Sequence, residues 1–322
     1  MRMHDTRSLC QVTLVGLLAL LVLPALAQGQ AGKMYWTDEG TLKIQRANLD
    51  GTSVQDLVTG LSAPASIALD VAGGKMYWTN GDTIQRANLD GSSAQTLLNG
   101  LGDAYGIALD VAGGKMYWTV LFSKIQRANL DGSSVQNLIT SGISPGRIAL
   151  DVAGGKMYWA DGVKIRRANL DGSSIQDLVT SGLSQALGIA LDVAGGKVYW
   201  TDDGTHKIQR ANLDGTSVQD LVTSGLDQPN GIALDVAGGK MYWADSGTLK
   251  IQRANLDGTS VQDLVTSGLS DPEGIALGGA VVPSGVPAPA VSHWGLIALL
   301  VLLTTIGVLR SSQRPSMRSS RR

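Results

Sequence analysis

The chain has 322 residues, among them 26 basic and 27 acidic side chains, 41 glycines, one phenylalanine and one cysteine. Setting aside an apolar first segment and a basic last one removes seven arginines and one aspartate, so residues 28–279 carry 19 basic against 26 acidic side chains, a net charge of −7. An acidic domain without basic runs excludes ordinary nucleic-acid binding, and Cys10, outside that domain, leaves it neither a disulfide nor a thiolate metal site.

In chain order, Arg2 and Arg7 precede an apolar run over residues 12–26, and Ala25-Leu26-Ala27 supplies the small residues that signal peptidase accepts. Residues 1–27 are expected to be a signal peptide, with Gln28 as the mature N-terminus. An uncleaved anchor is the alternative, which Pro24 near the end of the run disfavours. Cys10 precedes the apolar run, so lipid attachment there is not expected.

Beyond it, Tyr-Trp recurs with tryptophan at positions 36, 78, 118, 159, 200 and 243, at spacings of 42, 40, 41, 41 and 43 residues. That period is the mark of a repeat architecture. Each copy reads Lys-Met-Tyr-Trp, then Ile-Gln-Arg-Ala-Asn-Leu-Asp-Gly, then Val-Gln-Asp-Leu-Val-Thr, then Ile-Ala-Leu-Asp-Val-Ala-Gly-Gly, with departures such as Arg166 and Val198. The four apolar runs are short and β-branched or aromatic, and Gly, Asp, Asn or Ser bounds each, which predicts four strands per copy. Asp50-Gly51 and Gly73-Gly74, with their counterparts, supply residues that tolerate positive φ in tight turns.

One four-stranded sheet with two apolar faces cannot bury itself, whereas six arranged radially can. The prediction is an all-β, six-bladed β-propeller over residues 28–279. A solenoid would need polar end repeats, and neither the first copy nor the last is one. The domain starts on a Tyr-Trp strand and ends on Gly274-Ile275-Ala276-Leu277, the strand type that elsewhere precedes Tyr-Trp. Pairing of that last strand with the first three therefore closes the ring. Trp36, Trp78, Trp118, Trp159, Trp200 and Trp243 are expected in the core between blades.

The combination Pro-x-Gly-Ile-Ala-Leu-Asp, Lys-Met-Tyr-Trp-Thr-Asp and Lys-Ile-x-Arg-Ala-x-Leu-Asp-Gly resembles the YWTD, or class B, repeats of the low-density lipoprotein receptor family. The motif is complete in Tyr35-Trp36-Thr37-Asp38 and Tyr199-Trp200-Thr201-Asp202 and altered in the other copies. The resemblance implies a six-bladed propeller with the Ile-Ala-Leu strand innermost. The cysteine-rich and growth-factor-like modules of that family's receptors are absent from this sequence.

Residues 280–292 are Pro-rich and read as a stiff spacer. Residues 293–309 follow as an apolar segment, a little short of the ~20 residues that comfortably span a bilayer, and residues 310–322 hold five arginines. A single transmembrane helix with a basic cytoplasmic tail is expected, with the propeller outside. Pro289-Ala290-Val291-Ser292-His293-Trp294-Gly295 resembles the C-terminal sorting signals of bacterial exported proteins, of the Pro-Thr-Leu-Ser-x-Trp-Gly variety. That resemblance implies a bacterial source and a sorting enzyme of the exosortase type as a further partner; otherwise the chain is a single-pass membrane protein.

Catalytic constellations are scarce. The propeller has one histidine, His206, and two glutamates, Glu39 and Glu273, whereas zinc sites and serine hydrolases need clusters of such residues. Asp70, Asp110, Asp151, Asp192 and Asp235 either form an acidic ring able to hold calcium in the channel or cap the Val-Ala-Gly-Gly turns. Their identity in five copies favours capping, so no catalytic residue and no obligatory cofactor is predicted, calcium being the one candidate.

Because successive strands alternate in direction, the Leu-Asp-Gly and Val-Ala-Gly-Gly turns share one rim and scarcely vary. The opposite rim carries nearly all the chemical individuality. Tyr105, Leu121, Phe122, Arg147, His206, Asn230 and Glu273 are its candidate ligand-binding residues, with Val120-Leu121-Phe122 apolar where other copies are polar. The predicted function is an exported, surface-anchored module that binds a protein or glycan through this rim. A propeller hydrolase, lactonase or lyase with a channel metal is the alternative, and a structural spacer the third reading.

Overall fold

The computed structural model describes residues 32–278. The expected signal peptide, Pro-rich spacer, apolar helix and basic tail lie outside the described residues. Among the described residues there is no helix long and apolar enough to cross a membrane.

Twenty-four strands form six four-stranded antiparallel sheets. The first blade holds β1 (Lys33–Asp38), β2 (Lys43–Asn48) and β3 (Gln55–Thr59). The second holds β4 (Pro64–Asp70), β5 (Lys75–Asn80), β6 (Thr83–Asn88) and β7 (Gln95–Leu98), and the third β8 (Ala104–Asp110), β9 (Lys115–Val120), β10 (Lys124–Asn129) and β11 (Gln136–Ile139). The fourth is β12 (Ile148–Asp151), β13 (Lys156–Ala160), β14 (Ile165–Asn169) and β15 (Gln176–Val179). The fifth is β16 (Ala186–Asp192), β17 (Lys197–Asp202), β18 (Lys207–Asn212) and β19 (Gln219–Val222). The sixth is β20 (Pro229–Asp235), β21 (Lys240–Asp245), β22 (Lys250–Asn255) and β23 (Gln262–Val265); β24 (Pro272–Gly278) then returns to the first blade. It pairs with β1 in the register Lys33↔Gly278, Tyr35↔Ala276 and Trp36↔Ile275, so the ring closes as the sequence predicts.

The core is divided into six clusters, one at each blade interface. Between the second and third blades, for example, Tyr77 and Ile84 of one face Trp118, Met116 and Ile107 of the next. All six Tyr-Trp tryptophans are fully buried.

The YWTD residues act as joints. Thr37 Oγ1 accepts the N–H of Gly274 in its own blade at 2.8 Å and donates to the carbonyl of Ala65 in the next at 2.9 Å. Thr79, Thr119 and Thr201 repeat this bridge to Tyr105, Gly146 and Asn230. Asp38 accepts the N–H groups of Thr41, Ser270 and Asp271 and so pins two loops of the variable rim; Asp202 does the same for Thr205, Ser184 and Gln185. Where Val120 replaces the aspartate this anchor is missing.

Candidate functional site

The two rims differ in chemistry as well as in variability. On the uniform rim the polar groups satisfy one another: Asp50 accepts from the N–H and hydroxyl of Thr52, Asn48 donates to the same hydroxyl, and Lys33 donates to Asn48. Those bonds hold the Asp50 carboxyl below its ordinary range, and the corresponding aspartates of the other five blades behave alike. The five inner-strand aspartates cap their turns, each accepting a glycine N–H at 2.7–2.8 Å, as Asp70 does from Gly73 and Asp235 from Gly238. Capping, not a channel acid ring, is thus the role the structure gives them.

The channel mouth on the variable rim widens into a cup of about 460 Å³. Its walls come from the second residues of four inner strands, Tyr105, Leu187, Asn230 and Glu273, and from the turns above. Leu121, Phe122, Ala186 and Leu187 supply apolar lining, and Asp203, Asp271 and Glu273 acidic lining. Phe122 is 73% exposed, and its φ of 55° puts it in the left-handed region, as Leu42, His206 and Leu249 are in the hairpin turns of other blades. A residue with a Cβ is strained in that conformation, and Phe122 is the most exposed large apolar side chain among the described residues.

Arg147 forms the floor. Its Nη2 donates to Glu273 Oε2 and to Asn230 Oδ1, both at 2.6 Å; Nη1 donates to the Ala65 carbonyl at 2.9 Å, and the guanidinium stacks 4.7 Å from the centre of the Tyr105 ring. The Tyr105 phenol lies 3.4 Å from both Asn230 and Glu273. Burial holds that phenol well above its usual pKa. Burial also raises Glu273, against the Arg147 charge and with help from Asp271 and Glu39, to about 7. Glu39, Asp271 and Asp203 are each raised, chiefly by burial and secondly, for Glu39, by Asp271. Burial thus raises these four carboxyls, the reverse of the hydrogen-bonded aspartates on the uniform rim.

Of the seven sequence candidates, Tyr105, Leu121, Phe122, Asn230 and Glu273 line the cup. Arg147 lies beneath it with its donors engaged. His206 is exposed outside it, 3.9 Å from Asp227. Sequence reasoning placed these side chains on loops, but Tyr105, Asn230 and Glu273 are the second residues of inner strands and Arg147 just precedes one, so they point into the channel. It missed Asp271 and Glu39, whose carboxylate oxygens come within 4.8 Å of each other and of Glu273, a grouping able to hold a cation. Only closure of β24 on β1 brings these three together.

The family model for low-density lipoprotein receptor repeat class B matches residues 32–71, 196–236 and 239–277. The chain carries class B repeats. The remaining blades show the same Tyr-Trp, Leu-Asp-Gly and Val-Ala-Gly-Gly punctuation. Mouse low-density lipoprotein receptor-related protein 5 is 53% identical over 49 residues, 15% of this chain and 3% of the relative. The human low-density lipoprotein receptor-related protein 5-like protein is 40% identical over 53 residues, 16% of this chain and 21% of the relative. Class B repeats in this chain thus correspond to a small part of either relative's length. Among solved structures, a chain of a nidogen/laminin complex matches with a TM-score of 0.72 at 24% identity, covering 78% of this chain and 99% of its own, and establishes the fold.

Proposed function

We propose that this propeller is an extracellular binding module whose cup takes an extended segment of a partner protein that presents apolar and basic side chains. The observation that carries this reading is the pairing, in one cavity, of an exposed, strained Phe122 with carboxyls that burial raises, Asp271 and Glu273. Buried aromatic side chains commonly anchor binding hot spots. The receptor names of the class B relatives are consistent with it.

Residues 1–27 as an export signal, the spacer and sorting motif of residues 280–292, and an anchor over residues 293–309 with the basic tail of residues 310–322 belong to the same proposal. The described chain starts β1 at Lys33 and leaves β24 at Gly278, paired on the uniform rim. A tether attached there leaves the cup facing away from the surface, where a soluble partner reaches it. The channel-metal alternative rests on Glu39, Asp271 and Glu273 alone, and Arg147 already neutralises one of them.

Selection of a random peptide display library against the immobilised propeller tests the reading. Peptides enriched in basic and apolar residues that lose binding to the Phe122→Ser protein are expected. Enriched peptides indifferent to that change, or ones that protect the Leu-Asp-Gly and Val-Ala-Gly-Gly turns from hydrogen exchange and leave the variable loops unaffected, would overturn it. Calcium titration by calorimetry separates the metal alternative.

A further inference from the structure

Arg147 occupies a position that is glycine in four of the other five inner strands, Gly106, Gly188, Gly231 and Gly274, and Ser66 in the last. Glycine is needed there because adjacent inner strands approach closely. A Cβ on Gly274 would lie 2.7 Å from the Ala65 carbonyl oxygen, and one on Gly106 would lie 2.7 Å from the Arg147 Cα. The fourth blade is altered in a way that admits a side chain. Its threonine bridge is lost to Ala160, its inner strand is cut to Ile148–Asp151, and the Arg147 N–H turns to the Leu187 carbonyl of the fifth blade at 3.1 Å.

From that place one residue reaches every blade. The backbone of Arg147 belongs to the fourth and bonds the fifth; its guanidinium meets Asn230 of the sixth, Glu273 of the first, Ala65 of the second and the Tyr105 ring of the third. Below it a polar cavity of about 90 Å³ continues the channel, so the guanidinium separates that cavity from the cup.

We propose that Arg147 is a positioning residue that bolts the ring across its channel, seals the floor of the cup, and holds Glu273, Asn230 and Tyr105 in the arrangement offered to a partner. The role rests on the cup being the binding site. A buried ion pair adds little net stability, yet loss of one member leaves an uncompensated charge. The bolt therefore sets geometry, and its removal exposes the cost of the orphaned Glu273. The groups facing that carboxyl are Arg147, Tyr105, Asp271 and Glu39, and only the first is cationic.

The test compares the full chain with Arg147→Gly, Arg147→Lys, and Arg147→Gly combined with Glu273→Gln. The Glu273 titration is followed by carboxyl NMR and the thermal midpoint from pH 5 to pH 8. In Arg147→Gly the carboxyl midpoint moves above the value of about 7 in the parent, and the thermal midpoint falls at pH 8 while recovering towards pH 5. Arg147→Lys, with one cation but no fork, lies between. The double variant folds and loses the pH dependence even if the single variant does not fold. An unmoved titration, a loss of stability equal at both pH values, or failure of the double variant to fold would each overturn the proposal. None of these readouts uses a partner, so a cup that binds nothing is detected separately, in the peptide selection.

Discussion

Arg147 of the fourth blade and Glu273 of the closing strand meet 2.6 Å apart across the channel, the one buried ion pair among the described residues that joins distant blades. Burial outweighs the attraction, which is why the carboxyl is raised to about 7 despite its partner. A carboxyl raised above its unfolded value of 4.5 binds its proton more tightly when folded. Its contribution to stability is present in full below about pH 4.5 and is lost as pH rises through about 7. The shift corresponds to about 3 kcal/mol. Glu273→Gln should flatten the stability profile over that window by this order. Urea unfolding at pH 4.5 and pH 8 measures it; parallel profiles for the two proteins would refute the assignment.

Trp159 is fully buried between the third and fourth blades. Trp159→Ala should cost about 3 to 5 kcal/mol as an aromatic cavity. Its indole N–H has no partner, because Arg166 stands where four blades have a glutamine that accepts from the tryptophan. Arg166→Gln should therefore supply an acceptor, while giving up the ion pairs of Arg166 with Asp161 and Asp177. The thermal midpoint of Trp159→Ala is the decisive measurement, and an unchanged value would remove that residue from the core.

The frame of this fold was legible because its structural requirements recur: tryptophan in the core and Asp-Gly in the hairpin six times each, glycine before the inner-strand isoleucine four times. Arg147 was misplaced for the same reason. Ser144-Pro145-Gly146-Arg147 reads locally as a turn, and only alignment with Gly106 and Gly188 shows that it holds a glycine position inside the ring. The Glu39, Asp271 and Glu273 grouping was beyond local reading, since it joins residues more than 230 positions apart through β24. Phe122 stood out in the sequence as the only phenylalanine, in a turn where other copies are polar.

The threonine bridge predicts a stabilising change. In the sixth blade Ala244 replaces the threonine, so no side-chain hydroxyl joins Gly231 to the closing strand. Ala244→Thr should restore a donor to the Glu273 carbonyl and an acceptor for the Gly231 N–H, adding about 1 kcal/mol. Thr201→Ala, which removes such a bridge, should cost about 1 to 3 kcal/mol by orphaning the Gly188 N–H and the Asn230 carbonyl. Denaturant midpoints of the two variants should move in opposite directions; movement in the same direction would deny the bridge its role.

Phe122 separates stability from binding. At a φ of 55° a residue with a Cβ is disfavoured by about 1 kcal/mol relative to glycine, and a side chain 73% exposed contributes little packing to the fold. Phe122→Gly should therefore leave stability unchanged or raise it by about 1 kcal/mol, after allowance for the added freedom of the unfolded chain. Binding of cup-selected peptides should meanwhile weaken by about 1 kcal/mol or more, as loss of an aromatic anchor does. A residue kept for structure would show the reverse pattern, with stability lost and affinity intact. Thermal unfolding and peptide titration on the same preparation decide between the two, and a fall in the thermal midpoint without a fall in affinity would remove Phe122 from the binding surface.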